Sequence, residues 1–140
     1  MVAWAELLHS GYRFETMTRP KDRRAILVVE DEVFIRIVAV DILSDCGLPI
    51  YEAGCASEAL DLIAAHPEIA ILFTDINMPG EMDGLALASR AFAMWPHNDL
   101  IVTSGGQSLR NEDVPDSGVF LPKPYRAADL ADLVLAKLAA

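Results

Sequence analysis

Seven polar side chains of this 140-residue sequence stand where an apolar run ends. The run AILVV (25–29) leads into Glu30, Asp31 and Glu32, and IAILFT (69–74) leads into Asp75. LIVT (100–103) closes on Thr103 with Ser104 beyond it, and VFL (119–121) is followed, past Pro122, by Lys123. Any one acid at such a place is ordinarily a turn former. The four run ends together define a chemistry. Carboxylates that converge repel one another and call for a cation, and oxygen ligands without His or Cys suit Mg²⁺ or Mn²⁺ better than zinc. Mg²⁺ held by a few carboxylates keeps positions open for water and a phosphoryl oxygen. A lysine adds a compact positive charge, and Thr103 offers a hydroxyl donor. Phosphoryl transfer needs mainly positioning and electrostatic stabilisation, which these groups can supply.

The elements that must bring them together are read from hydrophobic pattern. The runs 25–29, 69–74 and 100–103 are almost continuously apolar, as central strands of a parallel sheet are when both faces are covered; LPIYE (48–52) and VFL (119–121) complete five strands. Between them lie helical patterns at 33–45, 58–66, 84–95 and 126–139, with Ser57 as N-cap candidate for the second and Pro67 and Pro96 as stops. This alternation predicts an α/β fold: a doubly wound, five-stranded parallel sheet of flavodoxin-like order 2-1-3-4-5 in a three-layer α/β/α sandwich. In such sheets ligands bind at the carboxyl ends of the strands, where the seven polar residues fall. Between Thr103 and Val119 the Gly- and Pro-containing ends leave room for about two helical turns at most, and Leu109 is the only large apolar residue before Val114. A fourth helix there is expected to be short, irregular or mobile.

Composition narrows the class. With 53% hydrophobic and 23% charged residues, the chain suits one soluble domain. It has neither a membrane-length apolar run nor a signal-peptide core, so a cytoplasmic location is expected. Cys46 and Cys55 have no metal or C-x-x-C spacing, and His9, His66 and His97 are scattered. Residues 1–24 hold five Lys/Arg against three Asp/Glu, whereas 25–140 hold six against eighteen. So acidic a body disfavours nucleic acid, whose phosphates need clustered cations. Residues 1–24 read as a mobile or loosely docked extension, with Met17 an alternative start, and 25–140 as the domain.

The segments ILVVEDE (26–32), LFTDINMPGEMDG (72–84), IVTSG (101–105) and FLPKPY (120–125) resemble the signature blocks of CheY-like receiver domains of two-component response regulators. The resemblance spans residues 25–139 in order and implies specific roles. Asp75 corresponds to the phospho-acceptor. Asp31 corresponds to the direct metal ligand, Glu30 to its partner acting largely through water, and Asn77 to the position whose main-chain carbonyl completes the metal site. Thr103 matches the switch hydroxyl, Lys123 the lysine before a proline, and Phe120 the aromatic switch position. MPGEMDG is one residue longer than the commonest form, which leaves the shape of that loop open.

On this reading the chain is a stand-alone receiver that accepts a phosphoryl group from a histidine kinase or histidine phosphotransfer protein. It signals through an unknown protein partner, with at most a weak homodimer. It is not an enzyme beyond its own phosphorylation and dephosphorylation. A phosphate sink or shuttle is the alternative. A haloacid dehalogenase-type phosphohydrolase fits less well, because the position two residues after Asp75 is Asn77, which cannot shuttle protons. A flavodoxin-type module is disfavoured because the acidic edge repels a flavin phosphate. The retained acids, Thr103 and Lys123 weigh against a degenerate interaction scaffold.

Overall fold

The structure, a computed structural model, describes residues 24–106, 109–115 and 118–139. Strands β1 (Ala25–Val29), β2 (Ile50–Ala53), β3 (Ile69–Asp75), β4 (Asp99–Ser104) and β5 (Val119–Pro122) form one parallel sheet in the order β2-β1-β3-β4-β5. Helices α1 (Val33–Ser44), α2 (Ala56–Ala65), α3 (Gly84–Met94) and α4 (Ala127–Ala139) cover it. The doubly wound fold expected from the sequence is the fold found. The extension proposed for 1–24 lies, but for Arg24, outside the described residues, as does the choice between Met1 and Met17.

Alternation along the strands separates two cores. Leu27, Val29, Leu72, Leu100 and Val102 pack with Ala59 and Ile63 of α2 and Leu87, Ala88 and Ala91 of α3. Ile26, Val28, Ile71, Phe73 and Ile101 pack with Ala39 and Leu43 of α1 and Leu130 and Val134 of α4. All five residues of β1 are buried, which is why this segment reads as continuously apolar.

Two local expectations are corrected. β2 starts at Ile50 and not Leu48; Pro49, which has no N–H to give, enters the ladder only as acceptor for Ile26 N at 3.0 Å. α2 starts at Ala56 with Cys55 as its cap residue, so Ser57 lies inside the first turn. Glu58 accounts for the shift: its Oε1 accepts from Gly54 N at 2.7 Å and closes the turn two residues earlier.

Between β4 and β5 the described residues hold a single 3₁₀ turn, Asn111–Asp113, and no α-helix. Leu109 is partly buried and Val114 buried against the α2/α3-side core. Asn111 Oδ1 accepts from Phe120 N at 2.9 Å, occupying an outward-facing donor of edge strand β5. So little burial gives the turn little to resist opening. Amides of 109–115 are therefore expected to exchange with deuterium at least about tenfold faster than those of 130–137. Equal protection in mass-spectrometric exchange would contradict this.

Candidate functional site

The site is assembled from four strand ends. Glu30 and Asp75 are buried and Asp31 is half-buried, and one oxygen from each lies within 4.8 Å of the others. Among the described residues this is the only such grouping of potential metal ligands. Lys123 Nζ stands 3.1 Å from Glu30 Oε1 and 3.4 Å from Asp75 Oδ2. Three carboxylates thus face one ammonium. Glu30 is restrained further by Glu32 N, which donates to Oε2 at 3.2 Å. Asp31 accepts no hydrogen bond from any other described residue. The Glu30, Asp31, Asp75 and Lys123 singled out in the sequence are brought together.

The electrostatics follow from burial and pairing. Desolvation pushes the Glu30 carboxyl above its ordinary value, with Asp75 adding to the effect, while the Glu32 N–H and the Lys123 ammonium favour its charged form. Burial alone would depress Lys123, but the hydrogen bond to Glu30 and the charges of Asp75 and Glu30 outweigh it and hold the ammonium above the usual lysine range. Tyr125 borders the site from the α4 side; burial first, then the charges of Glu30 and Asp75, raise its hydroxyl against the opposing pull of Lys123.

The chain after Asp75 is fixed by close approach. A Cβ added to Gly84 would lie 2.0 Å from Asp75 O and 2.7 Å from Ile76 Cα, so only glycine lets α3 start here. Gly84 N donates to Ile76 O at 2.9 Å, and Asp83 caps the helix by accepting from Ala86 N at 2.9 Å. Within the longer loop Gly80 takes φ +105°, and Met78 and Met82 pack partly buried onto the core.

Two adjacent hydroxyls end β4, and the structure separates them. Thr103, expected to be the switch hydroxyl, is buried and donates to Leu121 O at 2.6 Å, so it is engaged with β5. Ser104 Oγ instead accepts from Asn77 Nδ2 at 3.0 Å and Gly106 N at 3.1 Å, linking the loops that follow β3 and β4. Sequence reasoning placed Ser104 at the strand end but gave it no role; counting β4 to its last residue would have. Asn77 N approaches Asp75 Oδ1 at 3.4 Å. Phe120 is half-buried against the α2/α3-side core, beneath the 3₁₀ turn. Arg36, also without a role from the sequence, donates from Nη1 to Glu30 O at 2.7 Å.

Residues 26–135 match the sequence profile of the response regulator receiver domain. The chain therefore belongs to the receiver domains of two-component response regulators, the CheY-like proteins of phosphorelay signalling. It is 32% identical over 126 residues to the sensor kinase CckA of Brucella abortus, covering 87% of this chain and 13% of that one. It is 32% identical over 111 residues to the transcriptional regulatory protein PdtaR of Mycobacterium tuberculosis, covering 76% of this chain and 53% of that one. The chain thus spans only part of these relatives. A response regulator receiver protein from Sinorhizobium medicae superposes with TM-score 0.77 at 25% identity, over 86% of this chain and 98% of that one. A CheY-like receiver from Methanospirillum hungatei gives 0.74 at 28% identity, over 83% and 94%.

Because Asp31 has repulsion and no partner, Asp31→Asn is expected to stabilise the metal-free protein by about 1 kcal/mol. That corresponds to a Tm about 3–5 °C higher in EDTA for a domain of this size. Mg²⁺ should raise the wild-type Tm and leave that of the variant nearly unchanged. A variant less stable than wild type in EDTA would refute the repulsive reading.

Proposed function

We propose that Asp75 accepts a phosphoryl group from a phosphohistidine of a histidine kinase or phosphotransfer protein, in a reaction requiring Mg²⁺ or Mn²⁺. The observation that carries this is the convergence of Glu30, Asp31 and Asp75 at the sheet edge with a single ammonium between two of them. An Asp75 carboxylate oxygen attacks phosphorus in line, a P–O bond forms, and the P–N bond breaks with its electron pair leaving on the imidazole. Glu30, Asp31, Asp75 and the Asn77 carbonyl would hold the cation, which when bound supplies neutralising charge to the phosphoryl oxygens. Lys123 supplies the remaining positive charge. Water later hydrolyses the acyl phosphate; the chain turns over no separate substrate.

Ser104 is the hydroxyl we assign to a phosphoryl oxygen, because Thr103 is already committed to β5. Turning toward the phosphoryl group releases Asn77 and Gly106, and the loop beside Phe120 shifts with them, a population shift biased by one charge-assisted contact. The phosphodonor approaches over α1, where Val33, Phe34, Ile37 and Val38 are 53%, 83%, 54% and 56% exposed, starting two residues past Asp31. Such a strip at the mouth of a site suits a partner helix. Output through a second protein is favoured over nucleic acid by the acidic balance of 25–140. No helix among the described residues is long and apolar enough to cross a membrane.

With Mg²⁺ and acetyl phosphate, the wild type should gain one acid-stable, base-labile phosphoryl group by intact-mass measurement, and Asp75→Asn none. Labelling of Asp75→Asn equal to wild type would end the proposal. Phe34→Ala should label normally from acetyl phosphate yet accept phosphate about tenfold more slowly from a phosphorylated histidine donor. Ser104→Ala should label but lose the aromatic NMR response of Phe120, while Thr103→Ala keeps that response. The reverse pattern would return the role to Thr103.

A further inference from the structure

The peptide unit that joins Glu30 to Asp31 carries both N-terminal acids of the site, and its carbonyl has lost its place in the sheet. The β1/β2 ladder runs to Glu30 N, which donates to Ala53 O at 3.0 Å. β2 then departs, and Gly54 N turns to Glu58 Oε1. Glu30 O, left beyond the end of the ladder, is taken by Arg36 Nη1 at 2.7 Å, while Arg36 Nε reaches Glu52 Oε1 at 3.3 Å. Gly54 leaves room for this: a Cβ there would stand 3.2 Å from Arg36 Nη1. Glu30 is thereby held at its N–H, its carbonyl and both carboxylate oxygens. Asp31 has no side-chain partner, so its direction rests on the rigid peptide plane before it, which is the plane Arg36 grips.

We infer that Arg36 is a positioning residue for the cation site, aiming the Asp31 carboxylate through the Glu30 carbonyl. The inference rests on the proposed Mg²⁺/Mn²⁺ site. Its sign is distinctive. A guanidinium bound to the carbonyl between two of the site's acids can only repel a metal cation, so loss of its charge alone would not weaken binding. Loss of its grip would weaken binding, as loss of groups that orient metal ligands does, by about tenfold or more.

The test is Mn²⁺ titration of the full chain, followed by the EPR signal of free Mn²⁺, with Tm measured in parallel. Arg36→Gln should bind Mn²⁺ about tenfold more weakly. Arg36→Lys, which keeps charge but loses the two-armed reach, should also weaken it. Glu52→Gln, which removes the other end of the pair, should stay within about twofold of wild type. Should Arg36→Gln not fold, Arg36→Lys and Gly54→Ala, which crowds the guanidinium, decide the matter, and weaker binding by both supports the role. Binding by the folded Arg36 variants equal to or tighter than wild type overturns it, as does an equal loss in Glu52→Gln. If Asp31→Asn binds as wild type does, the metal site itself falls and this role with it. If Asp31→Asn abolishes binding while the Arg36 variants do not weaken it, the inference alone fails.

Discussion

The contact on which the rest of this structure turns is that of the Lys123 ammonium with Glu30 and Asp75, which ties the ends of β5, β1 and β3 together. In the observed order β5 is two strand spacings from β3 and three from β1, about 10 and 14 Å at about 4.8 Å each. No lysine spans that from its own strand. The chain after β5 must therefore bend inward, and Lys123 N donating to Ser104 O at 3.0 Å holds the backbone against the end of β4 while it does so. The stem then runs beside Gly105, where a Cβ would stand 3.6 Å from Lys123 Cβ. Register, strand order and loop path all serve one charge balance, in which three acids meet one ammonium.

The two ends of the sheet are protected unequally. β2 is covered by α2, and its partner β1 is buried throughout. β5 has beside it a 3₁₀ turn whose polar side chains do the covering: Asn111 takes the Phe120 N–H, and Arg110 N donates to Asp113 Oδ2 at 2.9 Å to hold the turn. This is a thin shield with small apolar content, on the side of the molecule that holds Phe120.

Much of the fold was legible because burial writes itself into composition: β1, β3 and β4 are buried along almost their whole length and read as apolar runs. Asp31, Asp75 and Lys123 were legible because polar residues at or just past the ends of strands have nowhere to go but the sheet edge. That the stretch between β4 and β5 would hold little helix was legible from its Gly and Pro boundaries. What escaped depended on single-residue register or on distant contacts. Thr103 and Ser104 are neighbours with the same chemistry, and only the true end of β4 says which hydroxyl faces Asn77. The N-cap at Ser57 was overridden by Glu58 reaching back to Gly54, a side-chain choice that pattern does not encode. Arg36 looked like a solvated helix residue, and nothing in the sequence links it to a carbonyl six residues earlier across a strand end.

The missing side chain at Gly84 has a mechanical meaning. With α3 seated directly against the Asp75 carbonyl, and Gly84 N bound to Ile76 O, there is no soft layer between the Asp75 main chain and the first turn of the helix. A strand end and a helix so joined have few independent degrees of freedom. Were Asp75 phosphorylated as proposed, a displacement of its backbone would be passed to α3 as a tilt of the whole rod, largest toward its far end at Met94, which is exposed. A methyl-sized spacer would have acted as a cushion, and its absence makes Asp75 the short arm of a lever.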